Sequence, residues 1–228
     1  MEFYITNKEL DGQISEIKRK IRLSMNGVVS DQMKNSGVTY KQNYGVAIPR
    51  IKEIAKGYSA NHDLAQRLWL LKIRESMILS TLLEPVDKFT ISMALSRVNE
   101  LSQIEMVEQT CMNLLSKLPY AGDLVIQCVN SDRLWTRITG FILAARVYNQ
   151  LNDEQVKVVT DKAFQYADTD EFYLYKSIAL CLSRLCRLNA SVAEQISAKI
   201  NCDFGAGTVA QQYIGNEVKH EIDFLDNI

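Results

Sequence analysis

Proline and glycine are scarce in this chain, at three and ten residues among 228. Few of the breakers that punctuate sandwiches, barrels and loop-rich folds are therefore present. Strict polar/apolar alternation is also rare, which removes the usual sign of half-buried strands. No apolar run reaches the length of a membrane span, and Met1-Glu2-Phe3-Tyr4-Ile5-Thr6-Asn7-Lys8 lacks the charged and apolar blocks of a signal peptide. An excess of either charge is missing too. The 26 basic and 27 acidic residues leave a net charge of −1, so no global positive field advertises a polyanion partner and any nucleic-acid surface has to be a local patch.

Chemistry-bearing side chains are equally sparse. The only histidines, His62 and His220, stand far apart in polar surroundings, which argues against a histidine triad or a histidine-rich metal site and makes both structural. The five cysteines, at positions 111, 128, 181, 186 and 202, form no CxxC pair and read as reduced, buried side chains of a cytoplasmic protein. There is no phosphate loop, dinucleotide fingerprint or zinc spacing. Gly205-Ala206-Gly207 follows no strand and reads as a joint between the last two helices. No metal and no other cofactor is expected.

What the chain does have is helical periodicity and enough apolar residues, 47%, for a large core. Leu10, Ile14, Ile17 and Ile21 stripe a first helix, on which Lys18, Arg19, Lys20 and Arg22 form a basic group. Further helices follow with short polar joints, including one after a capping box at Ser102-Gln103-Ile104-Glu105 and one from Asp170 to Arg187 whose apolar residues, Phe172 among them, cover two sides. About a dozen helices without a linker predict one all-α domain over 1–228, built as a stack of antiparallel helix pairs.

One segment stands out. In Tyr44-Gly45-Val46-Ala47-Ile48-Pro49-Arg50-Ile51-Lys52-Glu53-Ile54-Ala55-Lys56, Gly45 suits a turn and Pro49 the first helical position. Ile48, Ile51 and Ala55 then share one face, and Lys52 and Lys56 another, which fits either a nucleic-acid-facing helix or a solvated surface helix. Two further charges stand beside apolar neighbours. Arg137 lies among Leu134, Trp135, Ile138 and Phe141 and needs an acidic partner or a bound anion if sheltered, while Glu108 borders the apolar face of its helix. The two are expected either to meet on one cleft wall or to serve as a structural pair.

Taken together, Tyr44-Gly45-Val46 through Lys56, Leu68-Trp69, Arg74-Glu75-Ser76-Met77-Ile78-Leu79, Ser131 through Arg137 and Lys176-Ser177-Ile178-Ala179-Leu180 resemble the DNA alkylation repair proteins of the AlkD type. These are HEAT-like-repeat DNA glycosylases, and the resemblance runs from about Leu10 to Ile200. It implies a HEAT-like/armadillo-type stack forming a curved solenoid, double-stranded DNA as partner, and N3- or N7-alkylpurines as substrates. Such bases are already good leaving groups, so the family's site needs a carboxylate for the positive charge developing on the sugar more than it needs a general acid.

Where that family has tryptophan, three residues, then aspartate, this chain has Ile104-Glu105-Met106-Val107-Glu108. Glu108 therefore takes the carboxylate position, Arg137 matches the phosphate-contacting arginine, and Ile104 and Leu180 replace two aromatic residues. An aliphatic side chain offers no ring face to a developing cation, and a carboxylate displaced by ~1 Å can cost about a hundredfold in rate. The expectation is a DNA-binding protein with weak or lost excision, contacting phosphates through Arg50, Lys52, Lys56 and Arg137 on a concave face. Lys18, Lys20 and Arg22 either extend that face or are simply solvated. The alternatives are an active glycosylase using Glu108, and a protein-interaction scaffold favoured by the near-neutral charge.

Overall fold

The computed structural model describes residues 7–205, 207–225 and 227, so the first six residues and Ala206 of the glycine joint lie outside it. Among the described residues there are thirteen α-helices and one isolated bridge between Gln42 and Ile73. The chain divides into two compact units, one ending at Phe89 and the next beginning at Thr90. Among the described residues no helix is long and apolar enough to cross a membrane.

The first unit contains α1 (Lys8–Leu23), α2 (Gly27–Asn35), α3 (Ile48–Ala55), α4 (His62–Leu70) and α5 (Arg74–Leu83). Asparagine starts most of them. Asn7, Asn26 and Asn61 each accept from backbone N–H groups of the first turn of α1, α2 and α4, and a cap of this kind stabilises a helix by about 1 kcal/mol. Helix α3 begins one residue earlier than expected, at Ile48 after Ala47, so Pro49 is its second residue. The proline still fits, because that position has no intrahelical acceptor for an N–H. Ile17 and Ile21 of α1 and Ile51 of α3 are fully buried, each contributing roughly 1.5–3 kcal/mol relative to exposure.

Helix α5 is the centre of this unit and is buried over nearly its whole length, Arg74 and Glu75 included. Glu75 receives the Tyr44 and Val46 N–H groups at 3.2 Å, and Arg74 Nη1 donates to the Val46 carbonyl at 2.9 Å and to Glu75 at 3.0 Å. The Tyr44-Gly45-Val46 turn is thus clamped onto a buried ion pair. Gly45 is required there: its φ is +66°, and a Cβ would stand 2.2 Å from the Asn26 carbonyl oxygen.

The second unit holds α6 (Ile91–Asn99), α7 (Ile104–Asn113), α8 (Ala121–Val129), α9 (Leu134–Val147), α10 (Asp153–Gln165), α11 (Phe172–Leu185), α12 (Ala190–Asp203) and α13 (Val209–Leu225). Helices two apart in sequence touch: α7, α9, α11 and α13 pack side by side in one layer, while α6, α8 and α10 line up in another. This is the stacking of helix pairs that the short joints predicted. Gly140 lets α9 approach α8, since a Cβ there would lie 2.8 Å from the Val129 backbone nitrogen.

The capping at α7 differs from expectation. Gln103, not Ser102, is the N-cap, so Ser102 and Glu105 are out of register for a capping box. A true capping box forms instead at α10, where Asn152 and Gln155 exchange hydrogen bonds. Four cysteines are buried as expected, with burial pushing the thiols of Cys128 and Cys186 up to about 12, but Cys202 on the last turn of α12 is exposed.

Candidate functional site

Helix α11 turns Leu174, Ile178, Cys181, Leu182 and Leu185 into the core. Its other face carries Phe172, Lys176, Leu180 and Arg184 at a spacing of four, which places them in one row along the helix. Phe172 is 49% and Leu180 43% exposed, so α11 is not enclosed on both sides as its sequence suggested. The open face borders a cavity of about 620 Å³, closed by Ile104 and Glu108 of α7, Ile142 of α9, and Tyr213, Glu217 and His220 of α13.

The cavity therefore brings together three residues singled out in the sequence: Glu108 and the two substituted positions, Ile104 and Leu180. Burial raises the Glu108 carboxyl above its ordinary range, Arg146 pulls the other way, and Glu105 adds to the rise. A second carboxylate, Glu217, and the imidazole of His220 stand on the α13 wall.

The aromatic character missing at positions 104 and 180 comes from elsewhere. Phe172, Tyr173 and Tyr213 line the same cavity. Tyr173 meets Trp135 at a centroid distance of 5.8 Å and Phe172 at 5.3 Å, and Tyr175 joins Phe172 to Tyr213. The Lys176 ammonium sits over the ring of Phe172 at 4.5 Å and of Tyr213 at 5.4 Å. A side chain of the protein itself thus occupies the cation-attracting ring faces.

Arg137 does not share this wall. Its guanidinium lies 4.5 Å over the ring of Tyr166, Nη2 donates to the Asp132 carbonyl at 3.1 Å, and Nε is buried without a partner. The arginine whose charge acts on Glu108 is Arg146, about two and a half turns further along α9. In the first unit, Arg50 is tied to Glu53 at 2.7 Å and to the Ser24 hydroxyl at 3.0 Å, whereas Lys52 and Lys56 make no ion pair among the described residues. Lys20 is held by Glu16 and the Tyr58 hydroxyl. His62 pairs with the buried Glu84, which also accepts from Gln66.

Sequence reasoning missed Lys176 as a cavity residue, along with Phe172, Tyr173, Tyr213, Arg146 and Arg184. The available signal was the row at 172, 176, 180 and 184, four residues too mixed in character to belong to a core stripe. Size alone would have pointed elsewhere: a cavity of about 660 Å³ opens between α12 and α13, but its polar walls are chiefly the amides of Asn201, Gln211, Gln212 and Asn216, and its charged groups, Lys219 and Asp223, lie one turn apart on a single helix. No group of three or more histidine, cysteine, aspartate or glutamate side chains among the described residues could hold a metal ion.

Against known proteins, residues 18–195 match the profile of a family described as "DNA alkylation repair enzyme". A solved structure from work on "a new family of proteins related to the HEAT-like repeat DNA glycosylases with affinity for branched DNA structures" superposes with a TM-score of 0.76. The alignment covers 90% of this chain and 94% of that one at 12% identity, a likeness of fold. No protein of curated function matches the chain.

Proposed function

Given that the chain belongs to the DNA alkylation repair enzyme family, we propose that it is a DNA-binding HEAT-like-repeat protein whose excision of alkylated bases is weak or lost. One observation carries this reading. In the cavity that holds Glu108, Lys176 engages the rings of Phe172 and Tyr213, so a cationic alkylpurine entering it would meet an ammonium where a glycosylase needs free aromatic walls. A carboxylate that stabilises an oxocarbenium-like sugar must also be ionised, and burial opposes ionisation of Glu108.

Duplex binding rests on Arg137, Lys52, Lys56 and Arg50, which would position the phosphate backbone. The solved relative's family is described as having affinity for branched DNA, which makes branched substrates the first to try. Arg50 contributes least, because Glu53 already neutralises it. Four buried cysteines without disulfides favour the cytoplasmic setting.

The second reading, an active glycosylase using Glu108, draws support from Phe172, Tyr173 and Tyr213, which supply aromatic surface that Ile104 and Leu180 do not. Both readings meet in one experiment. Excess protein is incubated with duplex carrying N7- or N3-methylated purines, beside a binding titration on linear and branched DNA. Binding without base release is the expected result, with Arg137→Ala weakening affinity about tenfold at low salt. Release that disappears in Glu108→Gln would establish the second reading, and failure to bind DNA even at low salt would sink both.

A further inference from the structure

Leu180 and Arg184 line the Glu108 cavity and also a second, smaller one of about 400 Å³, whose remaining walls are Ser116, Ala145 and Arg146. Two guanidiniums and no carboxylate face this smaller space. Arg146 comes from the last turn of α9 and Arg184 from the last turn of α11. A helix C-terminus favours a cation, which accounts for each arginine taken singly. It does not by itself account for their convergence on one small cavity whose walls hold no carboxylate.

Among the described residues neither arginine forms an ion pair, while Arg187, on the residues just following α11, is matched by Glu221. The nearby acids do not close the pair: Glu221 holds Arg187, and although the Arg146 charge acts on Glu108 and Arg184 shares the larger cavity with Glu108 and Glu217, none of these forms an ion pair with either arginine among the described residues. What remains is a pair of planar, permanently charged forks with free donors, the geometry that grips phosphate oxygens two at a time.

We infer that Arg146 and Arg184 form an anion subsite for a DNA backbone phosphodiester, placed so that the nucleotide it belongs to presents its base to the Glu108 cavity across Leu180. The inference rests on the DNA-binding reading above. It assigns the phosphate grip at this cavity to a pair of residues distinct from Arg137, and it links the two spaces as base side and backbone side of one nucleotide site.

The test is a salt titration of the full chain and its Arg146→Ala, Arg184→Ala and Arg184→Lys variants, on a linear duplex and a four-way junction. Each alanine variant is expected to reduce the slope of log affinity against log salt by about 1 and to weaken binding about tenfold at low salt. Arg184→Lys should restore the slope but only part of the affinity, since an ammonium supplies charge without the fork. A single neutral methylphosphonate, moved along the strand, should abolish the difference between wild type and variant at one phosphate position. Wild-type binding with unchanged slopes in both alanine variants would overturn the subsite while leaving DNA binding intact. Inorganic phosphate bound by the wild type and lost in the variants, with DNA slopes unchanged, would likewise overturn it in favour of a free-anion site. A wild type that binds no DNA would remove both proposals, and the wild-type titration alone identifies that case.

Discussion

Glu75 in the first unit and Glu108 in the second are both glutamates on helices packed into a core layer, yet their surroundings are opposites. Glu75 is fully buried and satisfied by two backbone N–H groups and Arg74. Glu108 stands on a cavity wall with no hydrogen bond among the described residues, and its partial burial works against its charge. Several other charges follow the same division, with Lys52, Lys56 and the Arg187–Glu221 pair standing outside it. Glu84, Lys20 and Arg50 are engaged within the first unit, whereas Lys176, Arg146 and Arg184 of the second face open cavities. Within the most recognisable family text, the Tyr44-Gly45-Val46 turn and Arg74-Glu75 are thus scaffold, whereas the less recognisable text around α7 and α11 lines an open cavity.

The largest effect that tests this contrast is Glu75→Ala. It removes the carboxylate beside the buried Arg74 and frees the Tyr44 and Val46 N–H groups, and breaking a buried pair in this way costs about 3–5 kcal/mol. Chemical denaturation should show the first unit destabilised by that amount. A cost below about 1 kcal/mol would mean that the clamp contributes little and that the contrast between the units is one of appearance only. Gly45→Ala comes next. A left-handed φ and a 2.2 Å approach to the Asn26 carbonyl should cost about 2 kcal/mol or more, measurable in the same experiment. Near-neutral behaviour there would show that the turn can relax away from Glu75.

The extent to which the sequence foretold this arrangement differs between levels. Helix number and rough extent were legible because periodicity and asparagine caps are local properties, while the ends missed by a residue where two starts compete, as at Ile48 and at Gln103, and by two at each end of α11, Phe172–Leu185 against Asp170 to Arg187. Glu108, Ile104 and Leu180 converge on one cavity because they follow a family pattern. Their true neighbours were not legible. Periodicity within α9 says which side Arg137 and Arg146 occupy, but not that Tyr166 covers the first and that the second lies within the field of Glu108. The same limit applies to Phe172, whose apolar character argued for burial although α11 presents it to the cavity with Lys176 against its ring. Within-helix patterns carry face, and only packing assigns partners.

The smallest expected effect is the most discriminating for Glu108. Burial is the leading cause of its raised pKa, so the folded state favours the protonated carboxyl over the ionised one. Any stability it contributes is therefore present below the ordinary carboxylate value of 4.5 and is lost as pH rises through the higher folded value. At neutral pH the ionised group is a slight burden, and because solvent screens much of it, Glu108→Gln should raise Tm by no more than about 1 °C. That gain should close as the pH falls below the unfolded value, where both side chains are uncharged. A lower Tm for Glu108→Gln at pH 7 would mean that the carboxylate is held by favourable contacts as Glu75 is. The second unit would then be using its charges for structure, and Glu108 would lose its standing as a residue kept for ligand binding at the expense of stability.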